Sequence, residues 1–243
     1  MESATKSKGP PVVDRPAPAW HSMTAADAAG RMAVAPEFGL SAGQVTERRK
    51  AHGENRLAEK QARSKWLKLL DQFKSMLILV LIGAAVLAGI IGDAKDFIVI
   101  MVVVVFNALL GFWQEYRAER TLDALKKMLS PTAKVRRDGT VSEIPAVDLV
   151  PGDIILLDAG DRVPADGRIL LGRSLEIDEA ALTGESHPVV KNAEKPAPEV
   201  SALADRTDMA YMNSVVTRGR GELLATATGM ATEMGRLSGM IAE

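Results

Sequence analysis

The sequence predicts a membrane protein of mixed α+β class, with N-terminal helices, a two-helix transmembrane hairpin running into a helical stalk, and a small distorted β domain of jelly-roll type. Two charge-free apolar runs, Met76 to Gly92 and Phe97 to Trp113, stand next to each other. Helical spacing of apolar residues continues beyond the second run, at Ala118, Leu122, Leu125 and Leu129. From Ala133 the pattern changes to short segments rich in Val, Ile and Leu, separated by Gly, Pro and Asp, which is the mark of strands and turns.

Composition excludes several classes of function. The 243 residues carry a net charge of −1, and no basic stripe interleaved with aromatics appears, so no nucleic-acid partner is expected. Cysteine is absent, which removes disulfides, thiolate metal sites and cysteine nucleophiles. His21, His52 and His187 are scattered without ligand spacing, so no metal site is expected.

In chain order, residues 1–19 carry prolines and lysines with few large apolar side chains and predict a disordered tail. Residues 20–62 form a helical N-terminal module. In it Ser41-Ala-Gly-Gln44 reads as a capping box before Val45-Thr-Glu-Arg-Arg-Lys, and Gly53 is placed to end that helix.

Residues 63–113 contain the hairpin, with spans at about 76–92 and 97–113 joined by the four residues Asp93 to Asp96. Each run has 17 residues, at the short end of the ~17–25 that cross a bilayer core. Trp66, Leu69, Leu70 and Phe73 are available to lengthen the first. Arg63, Lys65, Lys68 and Lys74 precede the hairpin and Arg117, Arg120, Lys126 and Lys127 follow it, which predicts cytoplasmic termini on both sides. Asn107 needs a partner within the span: of lining an ion path and making a helix-to-helix hydrogen bond near Ala108 and Gly111, the second is the expectation.

Residues 114–130 are the stalk, which Pro131 ends. The β domain covers 131–230, with strands expected at Ala133–Arg137, Val141–Ile144, Ile154–Leu157, Arg168–Leu171, Ser174–Ile177, Tyr211–Arg218 and Glu222–Ala227. Turns are expected at Asp138-Gly139, Pro151-Gly152-Asp153, Gly160-Asp161, Pro164-Ala-Asp-Gly167 and Gly219-Arg-Gly221, and a surface loop at 191–204. The domain is expected to close on itself and so limit its exposed edges. Residues 231–243 begin a further helix leading toward an absent third span.

The stretch Asp178-Glu-Ala-Ala-Leu-Thr-Gly-Glu-Ser186 organises the rest. Gly184 between Thr183 and Glu185, followed by Ser186, permits a tight turn that presents one carboxylate on a small, hydroxyl-bearing tip. Such a tip can place a water or a phosphate, but on its own it is not a complete active site.

Several motifs occur in order: Pro151-Gly152-Asp153, Gly160-Asp-Arg-Val-Pro-Ala-Asp-Gly167, Asp178 to Ser186 with Pro188 beyond, and Gly229 to Gly235. Together they resemble the actuator domain of P-type cation-transporting ATPases. Upstream, Gly39-Leu-Ser41, Val45, Arg48 and Gly53-Glu-Asn-Arg-Leu57 resemble the cytoplasmic module before the first span in type II pumps, those of calcium or sodium type. The resemblance implies an integral protein of a plasma membrane of bacterial type, surrounded by lipid. It also implies that Glu185 aligns and deprotonates a water that attacks an aspartyl phosphate, with Thr183, Gly184 and Ser186 positioning the loop.

No Asp-Lys-Thr-Gly phosphorylation sequence, nucleotide-binding domain or acidic cluster for magnesium is found in the chain. ATP, Mg2+ and the transported cation are therefore implied for a complete pump, with no cofactor bound by this chain. The expected partner is a catalytic half carrying the phosphorylation domain, nucleotide-binding domain and later spans, and the chain alone is expected to be an inactive N-terminal portion. Two alternatives are a membrane-anchored regulatory module that docks on an intact pump, and a non-functional remnant.

Overall fold

The computed structural model describes residues 18–58, 74–92, 94–128 and 131–242. They form two compact units, one built from the residues up to Ala58 together with those from Thr132 onward, the other from the segment between them. The flanking residues Trp66, Leu69, Leu70 and Phe73, and the tail before Pro18, lie outside the described residues.

The first unit opens with α1 (Ala25–Arg31) and α2 (Ala42–His52). The capping box forms as the sequence predicts: the Gln44 N–H donates to Ser41 Oγ and the Ser41 N–H donates to Gln44 Oε1. Gly53 ends α2 at φ 76°. Seven strands follow, β1 (Thr132–Arg137), β2 (Thr140–Pro145), β3 (Ile154–Asp158), β4 (Asp166–Asp178), β5 (Val189–Val190), β6 (Met209–Ala210) and β7 (Val215–Ala227). They make one antiparallel sheet in the order β2-β1-β3-β7-β4-β5, with β6 also paired to β4. The β1–β2 turn has positive φ at both Asp138 and Gly139, the left-handed pair that suits a tight hairpin.

Alternation along the strands sorts the apolar residues onto two faces. Ile155, Ile169 and Leu223 join Val135, Leu157, Leu175, Ile177 and Val216 in the main core. Their neighbours Ile154, Leu170 and Leu224 face the other way, where Ala28, Ala29, Val34, Leu40 and Val45 cover them. The N-terminal helices are thus a lid over one face of the sheet. Asn55 fixes their exit, donating to the carbonyls of Ala146 and Pro164 while its Oδ1 accepts from the Gly229 N–H.

Four expectations change. The four strands expected in 168–177 and 211–227 merge into the two 13-residue strands β4 and β7, with Tyr211 to Ser214 left as a connection between β6 and β7. Gly219-Arg-Gly221 is not a turn but lies within β7. The register shifts between Arg173 and Glu176, where Ser174 at φ 49° faces Gly219 at φ 75°, so the turn signal is spent on a bulge. A Cβ on Gly219 would lie 2.2 Å from the Ser174 carbonyl oxygen. Pro164-Ala-Asp-Gly167 likewise runs into the start of β4 instead of ending in a turn. Finally, the sheet is an open path. Its outer strands are the polar, exposed β2 and the two-residue β5, which limit edge pairing by charge and shortness where closure was expected.

The second unit pairs α3 (Met76–Ile91) with α4 (Ala94–Met128). Ile78 packs with Val104 and Ala108, while Gly89 approaches the ring of Phe97, so the two helices run antiparallel. Gly92, in the left-handed conformation at φ 88°, caps α3. Because α4 already begins at Ala94, Lys95 and Asp96 sit in its first turn and not in the four-residue loop that was expected. Span and stalk are one helix of 35 residues, about 52 Å long at 1.5 Å per residue.

Among the described residues one helix, Ala94–Leu122, is long and apolar enough to cross a membrane, its most apolar 18-residue stretch having a mean hydropathy of 2.3. α3 carries no charged residue at all but its 16 residues reach only about 24 Å. Asn107 is half-buried, and its amide has no hydrogen-bond partner among the described residues, so the expected helix-to-helix bond is not made.

Candidate functional site

β4 carries the chain to Asp178, whose Oδ1 accepts the Ala180 N–H at 2.9 Å and turns it. One helical turn follows, α5 (Ala180–Thr183). The Glu179 carbonyl anchors it three times, accepting from the Leu182 N–H at 2.9 Å, the Thr183 N–H at 3.0 Å and Thr183 Oγ1 at 3.1 Å. Gly184 then adopts φ 77°, ψ 0°, with its N–H bonded to the Ala180 carbonyl. A Cβ there would meet open space, so backbone conformation, not crowding, calls for glycine. The Glu185 N–H donates back to Thr183 Oγ1 at 3.3 Å.

Thr183 is therefore half-buried and fully engaged, while Gly184, Glu185, Ser186 and His187 are exposed. The Glu185 carboxylate has no partner among the described residues, so it is free to meet an incoming group. The chain returns through β5, pairing Val189 with Ile177 and Val190 with Glu176, and Lys191 closes the stem through its N–H to the Leu175 carbonyl.

Beneath the tip lies a buried base that the sequence reading did not single out. Glu179 Oε1 and Lys191 Nζ are 2.6 Å apart, with both side chains at most 1% exposed. Burial pushes the Glu179 carboxyl up and the Lys191 ammonium down, and each opposes the other's shift by its charge. The signal was available in the alternation: Leu175, Ile177 and Glu179 occupy every second position and all three are buried. A charged residue continuing an inward-facing row calls for a partner.

A second buried pair lies further down β4. Arg168 Nε is 3.0 Å from Asp208 Oδ2, and neither side chain is exposed. The guanidinium also donates to the carbonyls of Met23, Ile169, Asp208 and Ala193, tying the N-terminal segment and the 191–204 loop to the sheet. That loop is accordingly less superficial than expected, since Lys191 and Ala197 are both buried. Burial lowers the Arg168 pKa and raises that of Asp208.

Asp166 starts β4 by accepting the Met212 and Glu233 N–H groups, each at 2.7 Å. Desolvation pushes its carboxyl up to about 6. It holds the first residue of α6 (Glu233–Ala242) against the sheet.

Of the histidines, His21 is buried with Nε2 3.0 Å from the Glu199 carbonyl oxygen, a packing role, while His52 and His187 are exposed. Among the described residues no group of three or more His, Asp or Glu side chains is gathered as a metal site. A cavity of about 1130 Å³ lies between the N-terminal segment and the start of α6, but none of Thr183, Gly184, Glu185 and Ser186 lines it. The tip stands exposed and carries one free carboxylate.

Fold and tip together define a protein with an apolar helical hairpin and an antiparallel β unit that offers one acidic loop to something outside itself. Comparison with known proteins gives this class its family. Residues 127–242 match the family model of the P-type ATPase actuator domain, and residues 20–88 match that of the cation transporter/ATPase N-terminus. A calcium-transporting ATPase of Bacillus subtilis is 43% identical over 223 residues, covering 91% of this chain and 25% of the relative. One from Bacillus cereus is 40% identical over 228 residues, covering 92% and 26%. A cation-transporting ATPase of Synechocystis is 43% identical over 203 residues, covering 84% and 22%. The chain belongs to the P-type cation-transporting ATPases, and it spans about a quarter of the length of these relatives.

Proposed function

We propose that this chain supplies the actuator of a calcium-transporting P-type pump and that Glu185 promotes hydrolysis of the aspartyl-phosphate intermediate. The observation that carries the proposal is the exposed, unpartnered Glu185 carboxylate on the left-handed turn at Gly184, within the matched actuator domain. In this reading the aspartyl phosphate sits on the region of the pump that binds ATP and Mg2+, and the actuator tip is brought onto it. Glu185 accepts a proton from the attacking water as the water oxygen bonds to phosphorus. The bond between phosphorus and the aspartate oxygen breaks, releasing inorganic phosphate and a free aspartate carboxylate. Thr183 and Ser186 keep the tip small and hydroxyl-bearing, and Gly184 permits close approach.

Calcium is the substrate favoured by the names of the Bacillus relatives. The end of the apolar stretch in α4 supports a cytoplasmic side for the residues that follow it. Arg117 lies over the ring of Trp113 at 5.5 Å and Arg120 over Tyr116 at 5.7 Å. Aromatic rings beside arginines suit a membrane–water boundary, and the cytoplasmic side is the one that collects Arg and Lys.

The test uses the pump formed by this chain and its phosphorylated region. Glu185→Gln should leave phosphoenzyme formation from ATP intact while slowing its breakdown by about 10²-fold or more, as loss of a positioned base does. Breakdown at the unmodified rate would exclude this role for Glu185.

A further inference from the structure

We infer that the buried Glu179–Lys191 ion pair is the positioning element of the tip, setting where Glu185 stands when it meets the phosphoryl group. The kinetic half of this inference rests on the function proposed above, but its structural half stands on the geometry alone.

The tip is a loop held at two ends. On the outgoing side, Glu179 provides through its carbonyl the three hydrogen bonds that shape α5 and orient Thr183, whose hydroxyl in turn receives the Glu185 N–H. On the returning side, Lys191 follows directly on β5 and donates its N–H to the Leu175 carbonyl. The 2.6 Å contact between the two side chains joins these ends across the mouth of the loop.

β-pairing alone is a weak clamp here, because β5 has only two residues and pairs with β4 at only Ile177 and Glu176. A helix of one turn is also too short to hold itself. The side chain that fixes the Glu179 backbone, and with it Thr183 and Glu185, is therefore Lys191. Among the described residues Lys191 is the cation paired with the Glu179 carboxylate, while Arg168 pairs with Asp208. Neither residue touches the reacting atoms, so both act through Thr183 and Glu185.

Two measurements on the full chain and its pump test this. Native-state hydrogen exchange should show the amides of Leu182, Thr183 and Gly184 exchanging about tenfold or more faster in Lys191→Met, with β7 amides unchanged, as expected for a local opening. In the pump, the same variant should slow phosphoenzyme breakdown by about tenfold or more while sparing its formation, and Lys191→Arg, which keeps the charge, should restore the rate. If Lys191→Met alone accumulates poorly, the double variant Glu179→Gln/Lys191→Met leaves no unpaired charge and should give the same two results.

Exchange that rises equally throughout the sheet would make the pair a general stabiliser and overturn the inference. So would breakdown at the normal rate in Lys191→Met when Glu185→Gln is slow. If Glu185→Gln itself breaks down normally, it is the proposed function that fails, while the exchange data still decide whether the pair holds the tip.

Discussion

Along β3 and β7 the apolar side chains disappear from the surface: Ile154, Leu223, Leu224 and Ala225 are fully buried. In α4 the same residue types stay outside, with Val102 63% and Phe106 65% exposed. A helix that is apolar on every side has no face to turn toward water, and such a surface is stable only where the solvent is itself apolar. The charges divide in the opposite sense. The β unit buries Arg168 with Asp208 and Glu179 with Lys191, whereas Phe97 to Trp113 carries no charge at all. A protein interior can surround an ion with carbonyls and a counter-ion, and hydrocarbon cannot. The difference separates a unit whose surface suits water from a unit whose surface suits hydrocarbon.

The largest expected effect lies on the charge side of this contrast. Arg168→Met leaves Asp208 buried without its cation and abandons four backbone carbonyls. Stability of the β unit should fall by about 3–5 kcal/mol, the usual result of breaking a buried pair from one side. Denaturant unfolding of the chain in micelles, followed by a β-unit probe, measures this. A loss below about 1 kcal/mol would mean that water reaches the pair and that the two units differ less than their exposures suggest.

The next effect tests the solvent of each unit with a matched pair. Val102 on α4 is 63% exposed and Val141 on β2 is 54% exposed, so a water-only view treats them alike. Val102→Arg should cost about 2.5–3.5 kcal/mol of membrane insertion, and Val141→Arg should stay within about 0.5 kcal/mol. Resistance of the membrane-bound chain to alkaline extraction reads the first, and thermal unfolding of the β unit reads the second. Equal tolerance at both positions would remove the hairpin from the bilayer.

The two units also differ in how much of them the sequence discloses. Local chemistry is legible: the Ser41 capping box, the Asp138-Gly139 hairpin turn and the glycine turn at Gly184 each depend on neighbours a few residues apart. So is the apolar surface of the hairpin, because charge-free runs need no register. What escapes is non-local. β4 and β7 read as four strands because a bulge and a turn use the same glycines, and only the pairing of Arg173 with Arg220 and of Glu176 with Arg218 on either side of Gly219 decides between them. The tip of the candidate site is visible and its base only by half, since Glu179 continues the inward row of Leu175 and Ile177, whereas Lys191 looks like an ordinary surface charge until the fold buries it.

The smallest effect compares one chemistry in both settings. Ser41 caps α2 through a reciprocal pair of bonds with Gln44, while Ser75 caps α3 with a single 3.4 Å bond from the Ile78 N–H. Ser41→Ala should cost about 1 kcal/mol, because it removes the acceptor for the Gln44 N–H and releases the Gln44 side chain from its box. Ser75→Ala should cost about half as much, because among the described residues its cap is this one bond, without the reciprocal bond that Gln44 returns to the Ser41 N–H. Exchange rates of the Gln44 and Ile78 amides check both values. A larger loss at Ile78 than at Gln44 would place the start of α3 out of reach of water, and so move the edge of the membrane to the N-terminal side of Ser75.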